Sequence, residues 1–133
     1  MHNELARRMK ETNDNIIATK SKAFALRCIK AYQYLTTEKK EYVLSKQLLR
    51  SGTSIGANVK EGLRGQTKPD FASKMSIALK EASEAEYWIE LLKESNLLSE
   101  KESESLLNDC IELIKILTSI IKSAYDALNN KEK

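Results

Sequence analysis

The chain has 133 residues, 41% of them apolar and 31% charged, with four Gly and a single Pro. That is one domain's worth of chain, with enough apolar side chains for a core and too few turn-formers for an all-β fold. Lys and Arg number 22 against 19 Asp and Glu, and no apolar run exceeds four residues, so a soluble, cytoplasmic protein without a membrane span or signal-peptide core is expected.

The charge is unevenly divided. Residues 1–66 hold 13 Lys and Arg against 6 Asp and Glu, whereas residues 67–133 hold 9 against 13. Such an asymmetry suits helices that pair with one another, or a basic surface that meets phosphates. Cys28 and Cys110 have neither CxxC spacing nor a neighbouring His. They read as buried thiols in a reducing compartment.

In chain order, residues 1–14 read as a loosely ordered arm whose only apolar anchors are Leu5 and Met9. A first helix is predicted from about Ser21, where Phe24, Cys28, Ala31/Tyr32 and Leu35 recur at helical steps. Thr36-Thr37 reads as a short connection. The second helix is predicted over 38–64, with Leu44, Leu48, Gly52, Ile55 and Val59 in one row and Arg50, Ser54, Asn58 and Glu61 in another. Glycine within a helix costs about 1 kcal/mol relative to Ala. The small residues Ser51, Gly52, Gly56 and Ala57 therefore predict the close approach of a neighbouring helix.

Thr67 as an N-cap, Pro69 in the first turn and Asp70 against the helix dipole mark the start of the third helix. Its core row is Phe71, Met75, Ala78, Ala82, Ala85, Ile89 and Leu92; the adjacent row carries Lys74, Ile77, Glu81, Glu84, Trp88 and Leu91. Asn96 stops it. Ser99 with Glu102 forms a capping-box signature for the fourth helix. That helix has two apolar rows, one through Leu106, Cys110, Leu113, Leu117, Ile120 and Ala124, the other through Leu107, Ile111, Ile114, Ile121, Tyr125 and Leu128. Two rows require either a central position or a subunit contact. The sum is an all-α fold: one up-down-up-down antiparallel four-helix bundle over 15–133, linked near 36–38, 65–68 and 96–98.

Residues able to carry catalysis are scarce. His2 is the lone histidine and no ExxH pair exists, so no catalytic residue, metal or cofactor is expected. Glu81 and Glu84 form an ExxE pair that could sustain a metal enzyme, but a structural polar network of Arg50, Ser54, Asn58, Glu61, Glu81 and Glu84 is the simpler reading. The string Arg50–Asn58 lacks the GxxxxGK[ST] spacing of a phosphate loop. Lys39, Lys40, Lys46, Lys60, Arg64 and Lys68 are the candidate nucleic-acid-binding residues, with Arg7, Arg8 and Lys10 as an auxiliary arm. No RNA-reading motif with stacked aromatics is visible, so binding led by phosphates and shape is expected.

The strings Gln47-Leu-Leu-Arg-Ser-Gly-Thr-Ser-Ile-Gly-Ala-Asn-Val-Lys-Glu-Gly62, Lys74-Met-Ser-Ile-Ala-Leu-Lys-Glu-Ala-Ser-Glu84 and Glu86-Tyr-Trp-Ile-Glu-Leu-Leu92 resemble a known family. They look like the four-helix-bundle proteins of bacterial 23S rRNA intervening sequences, over about Asn15 to Leu128. The resemblance implies a ring-shaped homopentamer. It also implies kinship with the accessory variability protein of diversity-generating retroelements, a basic bundle that binds nucleic acid and a reverse transcriptase. The polar residues that match are Arg50, Ser54, Asn58, Glu61, Lys74, Lys80, Glu81, Glu84 and Trp88, and the resemblance gives none of them a catalytic role. The expectation is a non-enzymatic homo-oligomer that binds RNA or the ribosome. The alternative is an interaction scaffold for a protein such as a polymerase or reverse transcriptase.

Overall fold

The structure, a computed structural model, describes residues 2–132, with the side chains of all but 2, 3, 6, 9–11, 131 and 132. Four helices follow one another: α1 (His2–Thr37), α2 (Leu44–Leu63), α3 (Lys68–Glu94) and α4 (Glu100–Glu132). No strand occurs among the described residues, and no helix there is long and apolar enough to cross a membrane.

The first connection lies later than its sequence signal. The hydroxyl of Thr36 donates to the carbonyl of Tyr32 (2.9 Å) and that of Thr37 to Gln33 (2.7 Å), so both threonines remain within α1. The chain breaks instead over residues 38–43, where Lys40 takes a left-handed φ of 54°. Glu41 then opens α2. Its carboxylate accepts the amide N–H groups of Val43 (2.8 Å), Leu44 (2.7 Å) and Ser45 (2.8 Å), which the helix itself cannot satisfy.

Partial burial pushes the Glu41 carboxyl up, but the amide hydrogen bonds outweigh it and hold the pKa below its ordinary 4.5. A depressed folded-state pKa contributes stability above the unfolded value and loses it as pH falls through the folded one. Glu41→Ala is therefore expected to cost about 1 kcal/mol near neutral pH. Urea melts at neutral pH and in strong acid check this: the gap between wild type and variant closes only below the ordinary carboxylate range.

The later boundaries follow local chemistry. Thr67 Oγ1 accepts the Asp70 amide (3.1 Å), and Asn96 ends α3 with a φ of 61°. Ser99 Oγ accepts the Glu102 amide (3.1 Å), but the Glu102 carboxylate turns to Arg27 (3.0 Å), leaving half a capping box. At the other terminus α1 reaches back to His2, far ahead of the first apolar row, with Glu4 pairing to Arg7 (2.8 Å) and Arg8 (3.3 Å) one turn on. Ile17 is the first buried side chain among those described.

α2 packs against α1 and α3, α3 against α4, and a thinner α1–α4 contact completes the bundle. The core holds Phe24, Cys28 and Leu35 of α1, Leu48, Ile55 and Val59 of α2, Met75 to Leu92 along the α3 row, and Leu106 to Leu117 along α4. The small-residue seam is real: a Cβ at Gly52 would lie 2.3 Å from Cys28 Sγ, so α1 and α2 meet at a distance only glycine permits. The first α4 row is buried through Ile120. The second is not: Leu107, Ile111, Ile114 and Ile121 are half-buried and Tyr125 is exposed.

Part of the charge asymmetry is consumed between helices. Arg27 of α1 bridges Asp109 (2.7 Å) and Glu102 (3.0 Å) of α4, and Lys20 pairs with Glu112, while Lys93 and Glu104 (3.4 Å) pair within the acidic half.

Candidate nucleic-acid interface

The closeness that Gly52 imposes on α1 and α2 opens into a shallow groove farther along the same pair. Ala18 and Ala25 of α1 and Gly56 and Ala57 of α2 have too little side chain to fill it, leaving an open cavity of about 540 Å³. Lys22 stands on its α1 side, and Lys60 and Arg64, one helical turn apart, on its α2 side. Among the described residues none of these three meets a carboxylate, whereas Lys20 and Arg27, on the α4 side of the same helix, both do. Glu61, beside Lys60, is engaged by Lys74 (3.2 Å). The groove thus carries three cations that form no ion pair among the described residues, Glu61 beside them being held by Lys74, and such a cluster suits a polyanion.

The six cations singled out in the sequence separate into two groups. Lys60 and Arg64 rim the groove, and Lys68 opens α3 just beyond the turn at that end. Lys39 and Lys40 lie in the α1–α2 turn and Lys46 in the first turn of α2. The fourteen residues from Lys46 to Lys60 place the two groups about 21 Å apart along the helix. Lys22 joins the groove although nothing about its own position marks it. Only the pairing of helices reveals it: a Cβ at Gly56 would sit 3.4 Å from Ser21 Oγ, which brings the next residue, Lys22, to α2.

On the α2–α3 side the polar row divides into separate contacts. Arg50 pairs with Glu84 (2.8 Å), whose same oxygen accepts the Trp88 indole N–H (3.3 Å). Ser54 donates to the carbonyl of Arg50 (2.6 Å) and Asn58 to that of Ser54 (2.9 Å), so both bond within α2. Glu81 joins neither group, and its buried Oε2 has no hydrogen-bond partner. Arg50 is 58% exposed, so its pair with Glu84 is worth no more than about 1 kcal/mol. No three His, Cys, Asp or Glu side chains converge as a metal set among the described residues.

The thiols lie in the core. Burial pushes Cys28 up to about 12, with the neighbouring Cys110 adding to it, and burial likewise lifts Cys110 to about 12. Cys110 also donates to the carbonyl of Ala82 (3.2 Å). Neither thiol is expected to react with a chromogenic disulfide reagent at mildly alkaline pH until the bundle is unfolded. Two equivalents should then react at once.

Comparison with known proteins agrees with this architecture. The chain is similar to a crystal structure from Bacteroides thetaiotaomicron, described as a protein of unknown function from the S23 ribosomal protein family. The identity is 50% and the TM-score 0.81, over 83% of this chain and 98% of that one. No curated protein matches significantly. The family described as 23S rRNA-intervening sequence protein matches residues 13–119, which include the whole α1–α2 seam, the groove and the polar row. The chain therefore belongs to the 23S rRNA-intervening sequence protein family.

Proposed function

We infer that this chain is a non-enzymatic, cytoplasmic RNA-binding protein that self-associates into a pentameric ring and docks phosphates on the α1–α2 groove. The observation that carries the reading is the trio Lys22, Lys60 and Arg64, which stay without carboxylate partners around an open groove, with Lys68 close by. Their charge would release counterions from a nucleic-acid backbone, giving affinity that falls steeply with salt.

Two further observations support the topology and the assembly in turn. Contacts that descend along one helix as they ascend the other fit the up-down-up-down antiparallel order: Lys20–Glu112 with Arg27–Asp109 for α1 and α4, Arg50–Glu84 with Glu61–Lys74 for α2 and α3. The half-buried second row of α4 offers apolar surface that a neighbouring copy would cover.

The test is sedimentation with and without structured RNA over a range of salt. A particle of about 75 kDa, five times the 15.1 kDa chain, that takes up RNA at low salt and releases it at high salt is expected. A lone 15.1 kDa particle would refute the ring, and negligible RNA uptake at low salt would refute the binding role.

A further inference from the structure

We propose that the α1–α2 turn, at the far end of α2 from the groove, is a stacking site for unpaired RNA bases. The inference rests on the RNA-binding reading and adds a second ligand class to it: single-stranded segments, recognised by their aromatic faces.

This turn exposes large apolar groups where solvent gains nothing from them. Tyr42 is 59% exposed, Val43 70% and Tyr34, in the last turn of α1, 42%. The backbone beneath them is fixed on both sides. The Glu38 amide donates to the Tyr34 carbonyl (2.8 Å) and the Glu41 amide to the Leu35 carbonyl (3.0 Å), while the Glu41 carboxylate ties down three amides of the α2 start. The backbone that carries the rings is therefore ordered before any base arrives, which lowers the chain entropy lost on binding.

The charge around them is positive on balance, three lysines against Glu38 and the amide-bound Glu41. Lys39, Lys40 and Lys46 flank Tyr42 in sequence, and none of them meets a carboxylate among the described residues. The negative charge of Glu41 is spent on amide donors. Aromatic faces interleaved with unpaired lysines are the chemistry by which proteins hold single-stranded nucleic acid, base stacking fixing the bases while the cations follow the backbone. Exposed Tyr87 lacks that setting: it packs edge-on against the half-buried Trp88 and is flanked by Glu84, Glu86 and Glu90, which would repel a phosphate chain.

The test compares two probes on the full chain: a short oligouridylate and a blunt RNA duplex of the same length. Tyr34→Ala and Tyr42→Ala are each expected to weaken oligouridylate binding about 10-fold or more. Duplex affinity should stay within about twofold, because the duplex engages phosphates on the groove. Tyr42→Phe keeps the stacking face and should bind as wild type does, which separates lost stacking from lost folding. Unchanged oligouridylate affinity in both alanine variants overturns the proposal, as does equal weakening of both probes. A change in particle mass in the same variants would assign the turn to a subunit contact and overturn it as well. Binding of duplex but not of oligouridylate by the wild type defeats this site alone; failure to bind either probe defeats the RNA reading itself.

Discussion

Gly52→Ala is expected to destabilise the bundle by about 2–3 kcal/mol, although alanine is the better helix former by about 1 kcal/mol. The new methyl group would stand 2.3 Å from Cys28 Sγ and 3.0 Å from its Cβ, distances that only a shift of α1 against α2 can relieve. Cys28 is fully buried and cannot swing into solvent. Gly56→Ala, four residues on, makes the informative contrast. Its methyl would lie 3.4 Å from Ser21 Oγ and 3.5 Å from the Ser21 backbone, an ordinary contact, so the propensity gain survives and the variant should be more stable by about 0.5–1 kcal/mol.

The two substitutions on one helix thus carry opposite signs, and urea denaturation of both reads the difference directly. Cys28→Ala alone opens a small cavity and costs stability, but combined with Gly52→Ala it removes the sulfur that the new methyl strikes. The double variant should therefore be more stable than the two single losses predict, a coupling that two independent sites would not show. Additive losses would mean that the seam is looser than the geometry says.

That seam was legible in the sequence because it depends on residue size at helical spacing. Small residues at 51, 52, 56 and 57 in an otherwise bulky row leave a neighbouring helix as the natural explanation, and the α3 row from Met75 to Leu92 is buried in the order its periodicity implies. Caps were legible for a related reason. Thr67 and Ser99 act on amides three residues away, within the reach of local chemistry.

What remained hidden depended on choices between local and distant partners. Thr36 and Thr37 can end a helix or bond back into it, and the sequence does not say which; the break was set by Lys40 and by the Glu41 carboxylate. Glu102 could have closed its own capping box, but Arg27, seventy-five residues earlier in the chain, took it. The polar row of α2 looked like one network because its residues share a face. Ser54 and Asn58 satisfy themselves on their own helix, and only Arg50 and Glu61 reach across to α3. The groove's third cation, Lys22, was invisible because a lysine's partners on a neighbouring helix are not written near it.

Neutralising that groove is the change expected to act most strongly on function. With Lys22, Lys60 and Arg64 all replaced by Gln, affinity for structured RNA should fall roughly 10²- to 10³-fold at 0.1 M salt, because each lost phosphate contact removes about 0.7–0.9 from the slope of log affinity against log salt. The slope itself should become shallower by about 2–3, a readout that a merely misfolded protein would not give. Folding should survive, since none of the three side chains holds an ion pair within the bundle. Arg27→Gln supplies the opposing control. It removes the bridge from α1 to Asp109 and Glu102 and should lower stability, yet it lies outside the groove and should leave the salt slope unchanged. If the triple variant keeps the wild-type slope, phosphates dock elsewhere on this protein. If Arg27→Gln lowers the slope as much as the triple variant does, the positive charge acts diffusely, and the groove has no special role.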